Sequence, residues 1–232
     1  IECVIHLAGK AQEIKKSEKN NHYSYFKNNT EDTLKFASHC AAASVKRFVF
    51  VSSIKVNGES TDIKESFNEN DTPNPSGPYA ISKYNAELGL LKIGKETNME
   101  IVIVRPPLIY GEGVKGYFRN ILKLLKLKIP LPFGSFINNK RSFIYLENFL
   151  DLLSILIKHP KAANELFLCS DDKDLSTTDL VRILSIGMHN RNLIFKIPKF
   201  IFLISYIFGQ GNLYKKLSQS LSIDNSKVYR LL

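Results

Sequence analysis

The sequence predicts an α/β protein built on a parallel sheet. Three short apolar runs, typical of strands buried on both faces, are separated by segments in which apolar residues recur at helical spacing. The runs are Cys3–Gly9, Arg47–Ser53 and Glu100–Arg105. Roughly 45 to 55 residues separate the start of one run from the next, which leaves room for a crossover helix and gives parallel neighbouring strands.

Two helices are predicted between these strands. The first covers residues 28–43, with Leu34 and Cys40 on its apolar face. The second follows a proline-rich loop that forbids earlier helix, begins near Tyr79 and continues to about Thr97. Each helix therefore connects two consecutive strands.

The second half of the chain has a different pattern. We predict a basic amphipathic helix over 117–127, an apolar helix that ends near His159, a short strand over 165–169 and a capped helix that begins at Ser176. Residues 193–208 are the most apolar stretch, but these roughly 16 residues are fewer than the about 20 that span a membrane. We expect a buried helix there, with an amphipathic helix on a membrane surface as the alternative.

Composition narrows the class of protein. The 232 residues are 44% hydrophobic and include three widely spaced cysteines, which favours a globular protein of the reducing cytoplasm over a disulfide framework or a metal site. The first residues lack the charged start and long apolar core of a secretory leader, so none is expected. The net charge of +10 suits an anionic partner such as nucleic acid, acidic lipid or a phosphorylated small molecule. The basic residues are scattered and not interleaved with aromatic residues, which argues against nucleic acid.

A tyrosine and a lysine share one face of the second predicted helix. Tyr79 and Lys83 are four residues apart, so their side chains are neighbours. An unperturbed phenol has a pKa near 10, and a nearby ammonium lowers that pKa because it favours the phenolate. The pair predicts a tyrosine that acts as a base near neutral pH. The same spacing also occurs on ordinary surface helices, so its surroundings decide between the two interpretations.

The ends of the predicted strands bring further groups toward this pair. Ligands of open parallel sheets bind beyond the carboxyl ends of the strands. Those ends carry Gly9, Ser53 and Pro107, and Ser53 precedes Tyr79 by 26 residues. A hydroxyl, a phenol and an ammonium at one edge form an acid/base set that can move a proton on an alcohol or a carbonyl.

Six stretches of the sequence together resemble one known family. They are Val4–Gly9, Asn28–Thr33, Phe50–Ser53, Pro78–Lys83, Val104–Pro107 with Tyr110–Gly111, and Arg141–Leu146. In these stretches the chain is similar to extended short-chain dehydrogenases/reductases of the NAD-dependent nucleotide-sugar epimerase/dehydratase family. The branch is the one that contains UDP-glucose 4-epimerases and the 4-keto-sugar reductases of surface-polysaccharide pathways. The resemblance implies a Rossmann-type, doubly wound parallel sheet with a small, mostly α-helical substrate domain.

The family pattern also shows what this sequence lacks. The Gly-x-x-Gly-x-x-Gly turn that binds the cofactor pyrophosphate does not occur in it, and its first strand matches the family's fourth. We therefore expect a partial Rossmann domain with the first three strands missing, in an N-terminally truncated chain. The implied division places residues 1–110 and 143–172 in the NAD(P)-binding domain and residues 111–142 and 173–232 in the substrate domain.

The resemblance implies roles for individual residues. Tyr79 would be the acid/base at the sugar 4-hydroxyl, Lys83 would bind the nicotinamide ribose and lower the pKa of Tyr79, and Ser53 would bind the reacting oxygen. No metal is implied. The residues implied along the cofactor are Leu7, Ala8, Gly9, Lys10, Asn28, Ser52, Tyr79, Lys83 and Pro107. Four residues are implied near the substrate. Ser53 would lie at the reacting oxygen, Phe133 and Gly134 would lie near the nucleotide base, and Arg141 would lie at the diphosphate.

Other interpretations stay open for several of these residues. Arg141 also fits a surface ion pair, Pro107 a strand stop and Asn28 a helix cap. His6 lies inside an apolar strand, and we predict a hydrogen-bonded core residue there and not a catalyst.

Two departures from the family pattern bear on the reaction. Dehydratases of the family place Asp-Glu directly after the hydroxyl residue, where this sequence has Ile54 and Lys55, so 4,6-dehydration is not expected. Many epimerases of the family have an Asn near the position of Leu108, and this sequence has no Asn there. This difference, together with Leu131–Ser135 and Asn139–Arg141, favours the 4-reductase/epimerase branch of polysaccharide pathways.

The sequence therefore predicts a cytoplasmic enzyme that uses NAD, or NADP, at C4 of a UDP-linked sugar, as a 4-epimerase or a 4-keto reductase. The resemblance implies a homodimer formed through the helices near residues 29–43 and 78–97. We expect no nucleic-acid partner and no stable membrane insertion. Two alternatives remain: a non-catalytic remnant without the Gly-rich cofactor loop, and a basic protein that binds nucleic acid or a membrane surface by charge alone.

Overall fold

The computed structural model describes residues 1–11, 18–114, 116–190, 193–198, 214 and 217–232, without the side chains of residues 18–21 and 117. Most of the apolar stretch 193–208, for which a helix is predicted, lies outside the described residues. Among the helices within these ranges, none is both long enough and apolar enough to cross a membrane.

The main sheet contains four strands. They are β1 (Cys3–His6), β2 (Arg47–Val51), β3 (Glu100–Arg105) and β6 (Leu166–Leu168). All three pairings are parallel, in the order β1-β2-β3-β6, which confirms the α/β fold and the four predicted strands.

Two further strands of three residues each form a second, parallel pair. They are β4 (Leu108–Tyr110) and β5 (Phe143–Tyr145). The sequence analysis did not predict this pair, because two prolines that stop the preceding strand come directly before β4, and β5 leads directly into the next helix.

Helices and short helical turns connect these strands. A π-helical turn (Lys27–Glu31) joins the first two helices, and short 3-10 turns cover Ile54–Val56 and Pro160–Ala162. The α-helices are α1 (Glu18–Phe26), α2 (Asp32–Ala42), α3 (Gly77–Glu96), α4 (Tyr117–Lys126), α5 (Leu146–Lys158), α6 (Thr177–Gly187) and α7 (Ser226–Leu231).

Helices cover both faces of the main sheet. Successive strand side chains point to opposite faces, so Phe48 and Phe50 pack with α2 and α3, whereas Val49 between them packs with α5. Each such fully buried side chain contributes about 1.5–3 kcal/mol to folding. A further core, which includes Ile121 and Leu180, joins α4 to α6. The main sheet is therefore doubly wound, as expected.

Helix α3 is the element that positions the candidate site. It begins at Gly77, and Pro78 lies in the first turn, where its missing N–H removes no helical hydrogen bond. Gly89 lies against α2: a Cβ there would be 2.5 Å from the Leu34 methyl carbons, so glycine allows the two helices to pack closely. The predicted start and end of this helix are confirmed to within about two residues.

Candidate active site

Lys83 extends from α3 to the carboxyl end of β2. Its Nζ donates to the carbonyl oxygen of Val51 at 2.9 Å and lies 4.6 Å from the centroid of the Phe50 ring. Burial lowers the pKa of Lys83 to about 8. The charge of Glu87, one turn further along the helix, raises this pKa by less than burial lowers it. At neutral pH Lys83 is therefore mostly an ammonium, but it titrates far closer to neutrality than an exposed lysine.

Tyr79 lies one turn before Lys83 and is half-buried. Burial raises the pKa of Tyr79, and a hydrogen bond with the Ser53 side chain lowers it by less. In this structure the Tyr79 pKa is therefore shifted upward, Lys83 is not among the causes of the shift, and the predicted lowering of this pKa by Lys83 stays a prediction. The Lys83 ammonium is held by Val51 and the Phe50 ring, and burial disfavours the phenolate.

Ser53 is placed by the short helical turn that follows β2. Its backbone is extended, and its Oγ accepts a hydrogen bond from the Lys55 N–H at 3.3 Å. The Ile54 N–H donates to the Pro106 carbonyl at 3.0 Å, which ties this turn to the chain after β3. The fold thus brings Ser53 to Tyr79 at the carboxyl edge of the sheet.

The backbone after β1 is open beside Lys83. Leu7, Ala8 and Gly9 are all exposed. A Cβ at Gly9 would lie 3.1 Å from Lys83 Nζ and 3.3 Å from Oδ1 of Asn29, so a side chain here would crowd both groups. This stretch therefore offers exposed main chain next to an ammonium, where a ligand can approach closely.

Asn29 fixes this loop against the helices. Its Oδ1 accepts from the Lys10 N–H at 2.7 Å, and its Nδ2 donates to the Lys10 carbonyl and to Ser82 Oγ at 3.0 and 2.9 Å. The Lys10 ammonium donates to Ser24 Oγ at 2.7 Å. Asn28, the residue predicted here, is exposed and donates to the Ser24 carbonyl. Asn29, the next residue in the π-helical turn between α1 and α2, is therefore the one that holds this loop, and a cofactor contact of Asn28 stays a prediction.

A buried charge network lies behind the site. Glu87 and Arg105, 2% and 3% exposed, form a bidentate pair with N···O distances of 3.0 and 2.5 Å. Arg105 also donates to Asn57 Oδ1 at 2.9 Å, and the Ser52 hydroxyl donates to Glu87. The Ser52 side chain, predicted to lie along the cofactor, is thus part of this network. The sequence analysis missed the pair, although Glu87 follows Lys83 by four residues on one helical face.

Apart from Ser53, the residues predicted near the substrate lie around α4, β5 and α6. Phe133 is buried in the core of α4 and α6, and a Cβ at Gly134 would be 2.7 Å from a main-chain carbon of the segment after α6. Arg141 is half-buried and donates to the Gln219 carbonyl at 3.2 Å. Pro107 is buried directly after β3. Packing accounts for Phe133 and Gly134, and their contact with a nucleotide base stays a prediction.

His6 packs beneath the site. Its Nε2 is 3.0 Å from Thr33 Oγ1, and its ring lies against Phe36, Phe48 and Phe50. The prediction of a hydrogen-bonded core histidine is confirmed.

We expect His6 to make the fold less stable in mild acid. Burial, and next the charge of Lys83, lower the pKa of His6 below its ordinary value of 6.5. The unfolded chain therefore binds a proton that the folded chain resists, and the free energy of unfolding falls by up to about 1.4 kcal/mol per unit as pH drops below about 6.5. Denaturant titrations should show a shallower decline for His6→Phe and an unchanged decline for the exposed control His39→Gln. Identical pH dependence in wild type and His6→Phe would contradict this assignment.

In the part of the chain that is described, no group of three or more His, Cys, Asp or Glu side chains is placed to hold a metal ion. Cys3, Cys40 and Cys169 are free, and burial raises the pKa of each thiol.

A doubly wound parallel sheet with a hydroxyl, a phenol and an ammonium at its carboxyl edge is typical of Rossmann-type oxidoreductases. The chain belongs to the NAD dependent epimerase/dehydratase family, whose model matches residues 1–169. The family expected from the sequence, with its dependence on NAD, is confirmed.

Individual relatives agree with this assignment. A UDP-glucose 4-epimerase of Vibrio cholerae is 39% identical over 230 residues, which cover 99% of this chain and 70% of that protein. A crystal structure of UDP-glucuronic acid 4-epimerase from Bacillus cereus in complex with NAD has a TM-score of 0.77 at 20% identity, over 100% of this chain and 68% of that chain. The structure of RMD from Pseudomonas aeruginosa complexed with NADPH has a TM-score of 0.76 at 19% identity, over 99% of this chain and 74% of that chain. At these identities the two structures show the shared fold alone.

Proposed function

We propose that the chain carries out NAD-dependent oxidoreduction at C4 of a UDP-linked sugar, as a 4-epimerase or a 4-keto reductase. The observation that carries this proposal is the placement of the Ser53 side chain beside Tyr79 at the carboxyl edge of the sheet, one helical turn from the Lys83 ammonium, which donates to the Val51 carbonyl at 2.9 Å. The identity to the Vibrio cholerae UDP-glucose 4-epimerase supports a UDP sugar and reaction at C4. Ile54 and Lys55 after Ser53 favour this reaction over 4,6-dehydration.

The residues present fit the nicotinamide end of NAD. Gly9 leaves open backbone within reach of the Lys83 ammonium, and Asn29 holds that loop in place. Lys83 and Tyr79 would bind hydroxyls of the ribose. NAD, when bound, supplies the acceptor and donor of hydride for the sugar carbon.

Tyr79 would exchange a proton with the sugar O4, and Ser53 would hold that oxygen by a hydrogen bond. Because burial raises the pKa of Tyr79, the residue is a phenol at neutral pH, the form that donates a proton when a 4-keto group is reduced. Oxidation of the 4-hydroxyl requires Tyr79 to lose its proton. Ser53 and a protonated Lys83 are the groups that would favour the phenolate in that direction.

The substrate side of the proposal rests on the second half of the chain. We propose that residues 111–142 and 173–232 bind the nucleotide sugar, and residues 1–110 and 143–172 the cofactor. Arg141 supports this division, since a half-buried guanidinium can bind a diphosphate bidentately. A place in surface-polysaccharide metabolism and a cytoplasmic location stay predictions.

Assays of the purified chain with nucleotide sugars test the proposed activity. With UDP-glucose and a trace of NAD, an epimerase should form the C4 epimer without net NADH, whereas a reductase should consume NADH in proportion to a 4-keto sugar. NAD at 100 times its dissociation constant should stabilise the fold by about 2.7 kcal/mol, and a parallel series with NADP decides between the cofactors. Absence of both turnover and stabilisation would contradict the proposal and favour the non-catalytic alternative.

Exposed apolar side chains on α2 and α3 support a homodimer. Phe36, Leu88 and Leu91 are all exposed, and a symmetric contact through both helices would bury them. Sedimentation should give twice the monomer mass of 26.4 kDa. Leu88→Arg should return the monomer, whereas Ile183→Arg on the exposed face of α6 should not. A monomeric wild type would contradict the dimer.

A further inference from the structure

Helix α4 has one buried face and one basic face. Phe118 and Leu125 are buried in the core that α4 shares with α6. The charged side chains Arg119, Lys123 and Lys126 are all exposed. The helix therefore packs through its apolar side and presents positive charge to solvent.

Aliphatic side chains lie exposed among these charges. Leu124 and Leu127 are 37% and 61% exposed, and Ile129, after the exposed Lys128, is 46% exposed. Large apolar side chains that alternate with basic ones in this way mark an interaction surface more often than isolated exposed residues do. We define the α4 surface as Arg119, Lys123, Leu124, Lys126, Leu127, Lys128 and Ile129.

The segment after α6 continues the apolar part of this surface. The Leu131 N–H donates to the Leu193 carbonyl at 2.7 Å, and the Phe195 N–H donates to the Leu131 carbonyl at 3.1 Å. Leu193 and Phe195 are both exposed. Their backbone is thus fixed beside the chain that follows Ile129, and the exposed apolar area extends beyond α4.

The charge of the α4 surface is not balanced by nearby acidic residues in the sequence. Between Glu112 and Glu147 the chain has seven Lys and Arg residues and no Asp or Glu. Among the described residues, none of the ion pairs involves a basic residue of the α4 surface. On α6, which packs against α4, Asp179 pairs with Arg182 of its own helix at 3.9 Å.

We propose that the α4 surface docks on an anionic lipid bilayer, with its lysines and arginine among the headgroups and its leucines and isoleucine at the acyl boundary. Phosphate groups of lipids complement the positive charge, and the acyl boundary takes up exposed aliphatic side chains. Nucleic acid would satisfy the charge alone, since Leu and Ile neither stack on bases nor hydrogen-bond to them. Docking needs neither cofactor nor sugar, so it goes beyond the proposed catalytic function.

Co-sedimentation of the chain with lipid vesicles tests this docking. Vesicles that contain phosphatidylglycerol should bind the chain, vesicles of phosphatidylcholine alone should bind it weakly, and added salt should reduce the binding. The variant K123Q/K126Q/K128Q should bind about 100-fold more weakly, since each basic residue near an anionic surface contributes about fivefold. The control K95Q/K158Q/K161Q removes three other exposed charges and should retain most of the binding.

A second variant separates the apolar part from the charge. Leu127→Gln keeps every charge and should weaken vesicle binding by roughly fivefold. Ile63→Gln, at a position that is 98% exposed elsewhere, should change nothing. The proposal would be overturned if the chain did not bind the anionic vesicles, or if the two triple variants lost binding equally. It would also be overturned if Leu127→Gln had no effect and the chain bound single-stranded DNA as tightly as it binds the vesicles.

Discussion

Tyr79→Phe is expected to lower turnover of the UDP sugar by about 10²- to 10⁴-fold, the range that a positioned proton donor or acceptor contributes. The substitution removes only the hydroxyl that lies beside the Ser53 side chain. The edge contact of its ring with Tyr25, at a centroid distance of 6.2 Å, should persist because Phe keeps the ring. We therefore expect the fold to change little and, because Lys83 keeps its proposed ribose contact, the affinity for NAD to fall far less than turnover, so that the main loss falls on the chemical step.

Single-turnover rates measure the chemical step, and melting temperatures with and without NAD measure fold stability and NAD binding. Tyr84→Phe is the matched control, because Tyr84 is a half-buried tyrosine on the same helix. It should keep the wild-type rate. A Tyr79→Phe protein with normal turnover would show that another group moves the proton, and one that no longer binds NAD would assign Tyr79 to cofactor binding alone.

The strands and helices of the fold were predictable where the pattern is long and local. The buried strands read as continuous apolar runs, and prolines marked the start of α3. The pair β4 and β5 was not predicted, because two prolines precede β4 directly and β5 leads straight into α5. The π-helical turn before α2 could not be predicted either, because it depends on how Asn29 and Thr30 bond to Ser82 of α3 across the sequence.

The candidate site likewise has features that the sequence predicts and features that depend on the folded structure. Residue types at strand ends and a four-residue spacing predict that Ser53, Tyr79 and Lys83 act at one edge of the sheet, and their joint catalytic role stays a prediction. The direction of the Tyr79 pKa was not predictable, since it depends on burial and on which acceptor takes the Lys83 ammonium. The partnership of Arg105 with Glu87 depends on the packing of α3 against β3, which no local pattern contains.

That buried pair gives the second large expected effect. Glu87→Gln leaves the Arg105 guanidinium buried without a counter-charge, and breaking such a pair costs about 3–5 kcal/mol of folding free energy. Urea titrations should show this loss. Glu96→Gln, in the exposed pair with Lys92 on the same helix, should cost at most about 0.5 kcal/mol. The double variant E87M/R105M removes both charges and should be more stable than Glu87→Gln.

If the pair of Glu87 with Arg105 only stabilised the fold, removing Glu87 would leave the pKa of Lys83 unchanged. The charge of Glu87 does affect that pKa. The charge of Glu87 raises the pKa of Lys83, so its removal should lower that pKa further below about 8. A variant stable enough to assay should then lose its ammonium, and with it the ribose contact of the proposed mechanism, at a lower pH than wild type. The pH dependence of NAD binding measures this shift. An unshifted profile in a destabilised Glu87→Gln protein would limit the pair to holding α3 on the sheet, whereas a shifted one would show that the same buried charge also sets the protonation of Lys83.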